Sequence, residues 1–189
     1  MTLANIITIS RIGMIPCFVL VVMYYAEGVK MGIPQEWQRW LAIVLFAMTA
    51  ITDGVDGYVA RRFNQRTRFG ALLDPIADKA LLLSSLLLLS WNPGEAFDQL
   101  PLWFPVLVIS RDIIVVLGVT LVFIMDREVD IQPHWTGKAA TVFQMVTIGM
   151  VLLKTPILYW QIPLWVGGMC TLISGAIYVA RGSRKLTGC

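Results

Sequence analysis

With 189 residues, 57% of them hydrophobic and only 14% charged, and a mean hydropathy of +0.72, this chain is too apolar for a soluble domain. Soluble domains carry about 25% charged residues, and a core of this size could not hide so much apolar surface. Fifteen Lys and Arg against twelve Asp and Glu leave a net charge of +3, and no nucleic-acid partner is implied. The length suits about six spans of ~20 residues with short connections. The expected class is therefore an all-α polytopic membrane protein, one domain over 1–189. No removable signal peptide is expected, because the start lacks a basic region and a small-residue cleavage site. Cys17, Cys170 and Cys189 have no metal or redox spacing, and a disulfide framework is not expected.

In chain order, residues 2–11 (T-L-A-N-I-I-T-I-S-R) put Leu3, Ile6, Ile7 and Ser10 on one helical face. Asn5, Thr8 and Arg11 tend to another, which suggests a short interfacial helix before the first span; a capped start to that span reads equally well. Ile12 to Ala26 is uncharged and forms the first span, with Pro16 in its first turns, where proline is best tolerated. A turn-rich loop follows, and Trp37 and Trp40 mark a membrane interface. The second span runs to about Ala60 and carries Asp53 and Asp56 near its end. After a loop crowded with Arg61, Arg62, Arg66 and Arg68, the third span runs from about Arg68 to Trp91. Asp74 and Asp78 lie in its first half, and Pro75 either kinks it or starts its regular part. The fourth span, near Trp103 to Met125, is interrupted by Arg111 and Asp112. A polar loop holds His134, the single histidine, which reads as a loop residue rather than a ligand. The fifth span covers about Lys138 to Leu153, and the sixth follows Pro156 and ends near Ala180.

Six alternating spans sort the cations. Arg11, Arg61, Arg62, Arg66, Arg68, Arg127, Lys138, Arg181, Arg184 and Lys185 make ten on one side. Lys30, Arg39 and Lys154 make three on the other, and Lys79 and Arg111 within spans complete the fifteen. The positive-inside rule then puts both termini and the arginine loop in the cytoplasm.

Asp53, Asp56, Asp74 and Asp78 form two pairs, three and four residues apart, so each pair shares one helix face with about 5–6 Å between Cβ atoms. An ionised Asp at membrane depth costs at least ~2.5–3.5 kcal/mol, and four together repel one another. Protonation, arginines or hard cations could neutralise them. Carboxylates without sulfur or imidazole favour Mg²⁺, Mn²⁺ or Ca²⁺, and two such ions suit phosphoryl transfer. Gly57, Ala60 and Gly70 beside the acids allow close helix approach or entry of a planar group. A cation or proton pathway is the alternative from another class, but acids clustered near one face without a repeat fit it poorly.

The run Asp53-x-x-Asp56-Gly57-x-x-Ala60-Arg61, then eight residues, then Gly70-x-x-x-Asp74-x-x-x-Asp78, resembles the signature of the CDP-alcohol phosphotransferase family. The resemblance implies a six-helix membrane enzyme, a homodimer, embedded with its lipids in the bacterial inner membrane with its active site facing the cytoplasm. It implies that an alcohol attacks the β-phosphorus of CDP-diacylglycerol and CMP leaves. By the same resemblance Asp53, Asp56 and Asp74 bind metal, two Mg²⁺ or Mn²⁺ ions, and Asp78 is the catalytic base and also reaches a metal. Asn5, Thr8, Arg11, Asp56, Gly57, Ala60, Arg61 and Gly70 would bind the CDP-lipid.

Within that family the chain is most similar to the bacterial phosphatidylglycerophosphate synthase group, through N-I-I-T-I-S-R-I-G-M-I-P at 5–16, T-R-F-G-A-L-L-D-P-I-A-D-K at 67–79 and G-K-A-A-T-V-F-Q-M-V at 137–146. S-R-D-I-I at 110–114 and Q-P-H-W-T-G-K at 132–138 are similar to the family's cardiolipin synthases, and Ile113 to Met125 lacks a second basic residue usual in the first group. Glycerol 3-phosphate is thus the first choice of acceptor and phosphatidylglycerol the second, with inositol phosphate or serine behind them. A phosphate monoester needs several cations, and Arg111, Lys138 and Arg181 are the candidates.

Overall fold

The computed structural model describes the backbone over residues 3–62, 68–91, 95–124 and 135–187, and side chains over 10–52, 79–91, 95–117 and 135–180. The described residues form six helices and no strand: α1 (Leu3–Lys30), α2 (Glu36–Arg62), α3 (Arg68–Trp91), α4 (Trp103–Ile124), α5 (Trp135–Leu152) and α6 (Ile157–Thr187). They group into two compact units, one of Met1–Leu100 with Ile148–Thr155, the other of Pro101–Thr147 with Pro156–Cys189.

In the first unit α1 packs on α2 and α3. Its buried residues are Arg11, Ile15, Phe18, Val22 and Tyr25, a 4-3-4-3 spacing that keeps one seam facing its neighbours. On α2 the seam is Ala42, Phe46 and Thr49, and on α3 it is Leu81, Leu82, Ser85, Leu86, Leu89 and Ser90. The Phe18 and Phe46 rings meet at 5.9 Å and Tyr25 donates to Glu36, so α1 and α2 are antiparallel. An apolar cleft of about 420 Å³ lies between the C-terminal turns of α1 (Val22, Ala26, Lys30) and of α3 (Leu88, Trp91), so α1 and α3 are parallel.

The ends of these helices have local causes. At the end of α1, Ile33 N–H reaches the Gly28 carbonyl and Gly32 N–H the Val29 carbonyl, with Gly32 at φ 73°. This is a Schellman close, which needs a residue in the left-handed region after the helix. The loop after α3 folds back on it: Leu100 N–H donates to the Leu89 carbonyl and Gln99 Nε2 to the Ser90 carbonyl. Both satisfy acceptors that a helix end otherwise leaves orphaned.

In the second unit α4 packs on α6. Trp160, Leu164, Gly167, Thr171 and Ser174 form the buried seam of α6. A Cβ at Gly167 would stand 3.2 Å from Phe143 Cβ on α5, and one at Gly168 3.1 Å from the Trp103 ring on α4. Small residues thus let backbones approach, the usual contact between apolar helices. Buried Gln144 donates to Thr171 Oγ1 at 3.1 Å, and Thr171 passes its own proton to the Gly167 carbonyl.

Outside these seams the helix surfaces are apolar: Leu20, Met23 and Tyr24 on α1, Val106, Val116 and Leu117 on α4, and Leu158, Ile162, Trp165 and Leu172 on α6 are exposed. Among the described residues Ser10–Lys30 and Ile157–Ala180 are long and apolar enough to cross a membrane, and Lys79–Trp91 is a shorter apolar helix.

Several boundaries differ from the sequence reading. No break separates residues 3–11 from the first span, since α1 is continuous from Leu3 through Arg11 and Pro16 to Lys30. Before Pro16 nothing stronger than Gly13 interrupts it, and a proline's lost hydrogen bond does not by itself end a long helix packed on two neighbours. Helix α3 likewise runs through position 75. Helix α6 continues past Ala180 to Thr187, because arginine, lysine and leucine sustain a helix once it is started.

Candidate active site

The acid motif is carried by two helices of one unit that touch each other. Positions 53, 56, 57, 60 and 61 belong to α2, and positions 70, 74 and 78 to α3. The side chains of Asp53, Asp56, Gly57, Ala60, Arg61, Gly70, Asp74 and Asp78 lie outside the described residues, as do those of Asn5 and Thr8 on α1 and Arg181 on α6. His134 and Cys189 also lie outside them, and Cys17 and Cys170 are free thiols.

Arg11 is the described member of the predicted CDP-lipid set. It is 1% exposed, the largest fully buried side chain of the structure's described part, whereas its neighbour Ser10 is exposed. Arg11 is therefore turned inward and not to the water-facing side that an amphipathic surface helix would give it. A buried guanidinium is kept only where acceptors or anions surround it.

Of the predicted acceptor residues, Arg111 is described in most detail. It sits on α4 with its side chain 16% exposed, and its Nη1 is 2.8 Å from Asp112 Oδ1. Nη2 donates to Ser174 Oγ on α6 at 3.1 Å, and the guanidinium carbon lies 5.7 Å from the Tyr178 ring centre. Nε is buried without a hydrogen-bond partner. A buried donor left so costs about 1–3 kcal/mol until an acceptor reaches it. Lys138, on the first turn of α5, is exposed.

Residues 1–173 match the family described as CDP-alcohol phosphatidyltransferase. The chain belongs to the CDP-alcohol phosphatidyltransferase family. A Mycobacterium tuberculosis relative named "Probable phosphatidylglycerophosphate synthase" is 36% identical over 190 residues, 98% of this chain and 84% of the relative. An Escherichia coli relative named "CDP-diacylglycerol--glycerol-3-phosphate 3-phosphatidyltransferase" is 33% identical over 162 residues, 86% of this chain and 79% of its own. A Shigella flexneri relative of the same name matches to the same extent.

Family membership gives the motif positions their context, but reading the sequence for the motif missed what surrounds Arg111. Ser174 and Tyr178 stand four apart on the inner face of α6 and meet Arg111 across 63 residues of sequence. Their spacing on one helical face was the available signal. A second polar group was missed as well: Lys154 Nζ donates to Tyr25 Oη, which donates to Glu36 Oε1, and Glu36 Oε2 is 2.8 Å from Arg39 Nε. The Tyr25 hydrogen bond, with the charges of Arg39 and Lys154, outweighs burial and holds the Glu36 carboxyl below its ordinary value.

Proposed function

We propose that this protein transfers the phosphatidyl group of CDP-diacylglycerol to sn-glycerol 3-phosphate, giving phosphatidylglycerophosphate and CMP. The observation that carries the reading is the burial of Arg11 on α1, the helix that packs on α2 and α3, which carry the acid motif. The α1–α2 pair is antiparallel with Phe18 opposite Phe46, so seven residues further brings Arg11 level with position 53. The α2 seam 42-46-49, continued at 4-3 spacing, reaches positions 53 and 56. The α3 seam 81-85-89, continued backward at 3-4 spacing, reaches 78 and 74. Since α3 is parallel to α1, both acid pairs belong to the Arg11 end. The names of the relatives supply the acceptor.

The donor set suits hard divalent cations: four carboxylates at helical spacing, with no thiolate or imidazole in the motif. Asp53, Asp56, Asp74 and Asp78 would hold two Mg²⁺ or Mn²⁺ ions, which when bound supply charge neutralisation to the diphosphate. The chain's own residues do the rest. Arg11, with Asn5 and Thr8 before it, binds the anionic CDP bridge, and Gly57, Ala60, Arg61 and Gly70 form the nucleotide pocket. Asp78 takes the proton of the acceptor hydroxyl as its oxygen bonds to the β-phosphorus. The bond from that phosphorus to the CMP oxygen breaks, and CMP leaves as a phosphate monoester. Arg111, Lys138 and Arg181 receive the acceptor's phosphate.

The apolar outer surfaces of both units support insertion in a bilayer, with six helices crossing it. Lys154 and Arg39 join one polar group at the Tyr25 end of the first unit, away from the Arg11 end. That separation fits the acid end, with the arginine loop, facing the cytoplasm of a bacterial inner membrane, in a homodimer. Purified protein given labelled CDP-diacylglycerol, Mg²⁺ and each acceptor tests the reading. CMP release that needs glycerol 3-phosphate supports it, and release with phosphatidylglycerol alone would make the protein a cardiolipin synthase. Ion movement in vesicles with no CMP release would end the enzyme reading.

A further inference from the structure

Arg111 is held by residues that neither the motif nor the cation count singles out. Its guanidinium is fixed from three helices of the second unit, and two of the constraints act on one nitrogen. On α6, Ser174 Oγ accepts from Nη2 at 3.1 Å. On α5, Gly137 is buried, and a Cβ there would stand 2.5 Å from the same Nη2 and 3.7 Å from the guanidinium carbon. No real side chain tolerates the first distance, so any residue but glycine would push the guanidinium aside.

Ser174 is 0% exposed. A buried helical hydroxyl can satisfy itself on its own helix, as Thr171 does by donating to the Gly167 carbonyl at 2.7 Å. The Ser174 oxygen is used instead as an acceptor for a cation from another helix. Because the guanidinium is a rigid plane, fixing Nη1 at Asp112 and Nη2 at Ser174 also fixes where its remaining donors point, Nε among them.

We propose that Ser174 and Gly137 are positioning residues: Ser174 anchors Nη2 of Arg111 and Gly137 keeps that place open, so that the guanidinium meets the phosphate monoester of the acceptor in one orientation. This rests on the reading of glycerol 3-phosphate as acceptor. It goes beyond that reading in assigning acceptor affinity to two uncharged residues that do not touch the acceptor.

The test compares Ser174→Ala, Ser174→Thr and Gly137→Ala in the purified full-length protein, alone and combined with Arg111→Lys. Loss of one hydrogen bond to a charged group predicts that Ser174→Ala raises KM for glycerol 3-phosphate about 10-fold or more, with KM for CDP-diacylglycerol within about 2-fold. Ser174→Thr, which keeps the hydroxyl, should restore most of the affinity, and Gly137→Ala should act in the same direction as Ser174→Ala. In the Arg111→Lys background the Ser174→Ala effect should vanish, because lysine lacks the fork.

A Ser174→Ala effect that is equal on both substrates, or that persists in full beside Arg111→Lys, would overturn the positioning role. So would a Gly137→Ala protein with unchanged acceptor KM. Melting temperatures in detergent separate these results from loss of the fold. If the wild-type protein releases CMP only with a different alcohol, the acceptor reading fails by itself. The same variants compared on that alcohol then decide the positioning claim, which an unchanged KM in Ser174→Ala overturns.

Discussion

Lys154 Nζ lies 2.8 Å from Tyr25 Oη, joining residues 129 apart in the chain. Lys154 also has φ 55°, with its N–H on the Val151 carbonyl and the N–H of Thr155 on that of Met150. That is a second Schellman close, at the end of α5, with lysine where glycine is usual. The left-handed backbone costs a non-glycine residue about 1–2 kcal/mol, and the ammonium's bond to Tyr25 and its place 5.1 Å from the Tyr25 ring centre offset it. Lys154→Ala keeps the backbone cost and loses the bond, whereas Lys154→Gly loses the bond and the cost together. Thermal unfolding in detergent should therefore rank Lys154→Gly above Lys154→Ala by about 1 kcal/mol, with Lys154→Ala below wild type. The reverse order of the two variants would deny the strain.

The same group sets a dependence on acidity. Glu36 is held below its ordinary pKa of 4.5, first by the Tyr25 hydrogen bond and then, against an opposing burial effect, by Arg39 and Lys154. A depressed folded-state value means that its stabilisation is complete above the unfolded value and is lost as pH falls through the folded one. The melting difference between wild type and Glu36→Gln should thus be constant from neutrality to about pH 5 and shrink below 4.5. Because Glu36 is exposed, high salt should reduce the difference as well. A difference that grows on acidification would contradict the assignment.

Glycines in this protein differ in what they permit. Gly13 on α1 has open space around it, whereas a Cβ at Gly167 would meet Phe143 Cβ at 3.2 Å. Gly13→Ala should stabilise α1 by about 0.5–1 kcal/mol, the usual gain over glycine inside a helix. Gly167→Val must separate α5 from α6 and should cost about 1–3 kcal/mol, weakening the Gln144–Thr171 hydrogen bond at the same contact. Equal melting shifts for the two variants would show that the approach at Gly167 is not tight.

Which features were legible depended on how local their causes are. The bounds of α3 and the start of α4 follow from apolar runs framed by arginine, tryptophan and proline, and the structure keeps them at Arg68–Trp91 and Trp103. The acid motif was legible because its spacing lies within two helices and matches a family pattern. Arg11 entered the expected CDP-lipid set only by resemblance, since amphipathic reasoning assigns a buried face to apolar residues. The structure nevertheless buries the arginine at the head of the seam that Ile15, Phe18, Val22 and Tyr25 continue. The Arg111–Ser174 and Lys154–Tyr25 bonds were illegible for another reason. Periodicity reports which face a residue occupies, never which distant helix will be set against it.

Metal and base carry separate expectations. Chelation should abolish CMP release, and added Mg²⁺ or Mn²⁺ should restore it, because four carboxylates without a soft ligand bind such ions reversibly. Asp78→Asn should lower kcat by at least about 100-fold, as loss of a general base does, while binding of the CDP-lipid stays within a few-fold. Turnover that survives Asp78→Asn would move the proton transfer to another group, and turnover that survives chelation would remove the metals.

Arg11 offers the sharpest separation of charge from shape. It is 1% exposed, so its guanidinium acts where water screens little. Arg11→Lys keeps the positive charge but not the fork that grips two oxygens at once, and Arg11→Ala removes both. If Arg11 binds the CDP bridge, Arg11→Lys should raise KM for CDP-diacylglycerol about 10-fold, and Arg11→Ala about 100-fold, the range for charge-assisted bonds lost one and two at a time. KM for glycerol 3-phosphate should hardly change in either. A rise in acceptor KM with unchanged CDP-lipid KM would reassign Arg11 to the acceptor. Equal, small losses of kcat in both variants, with lowered melting temperatures, would reduce it to a buried strut between α1 and its neighbours.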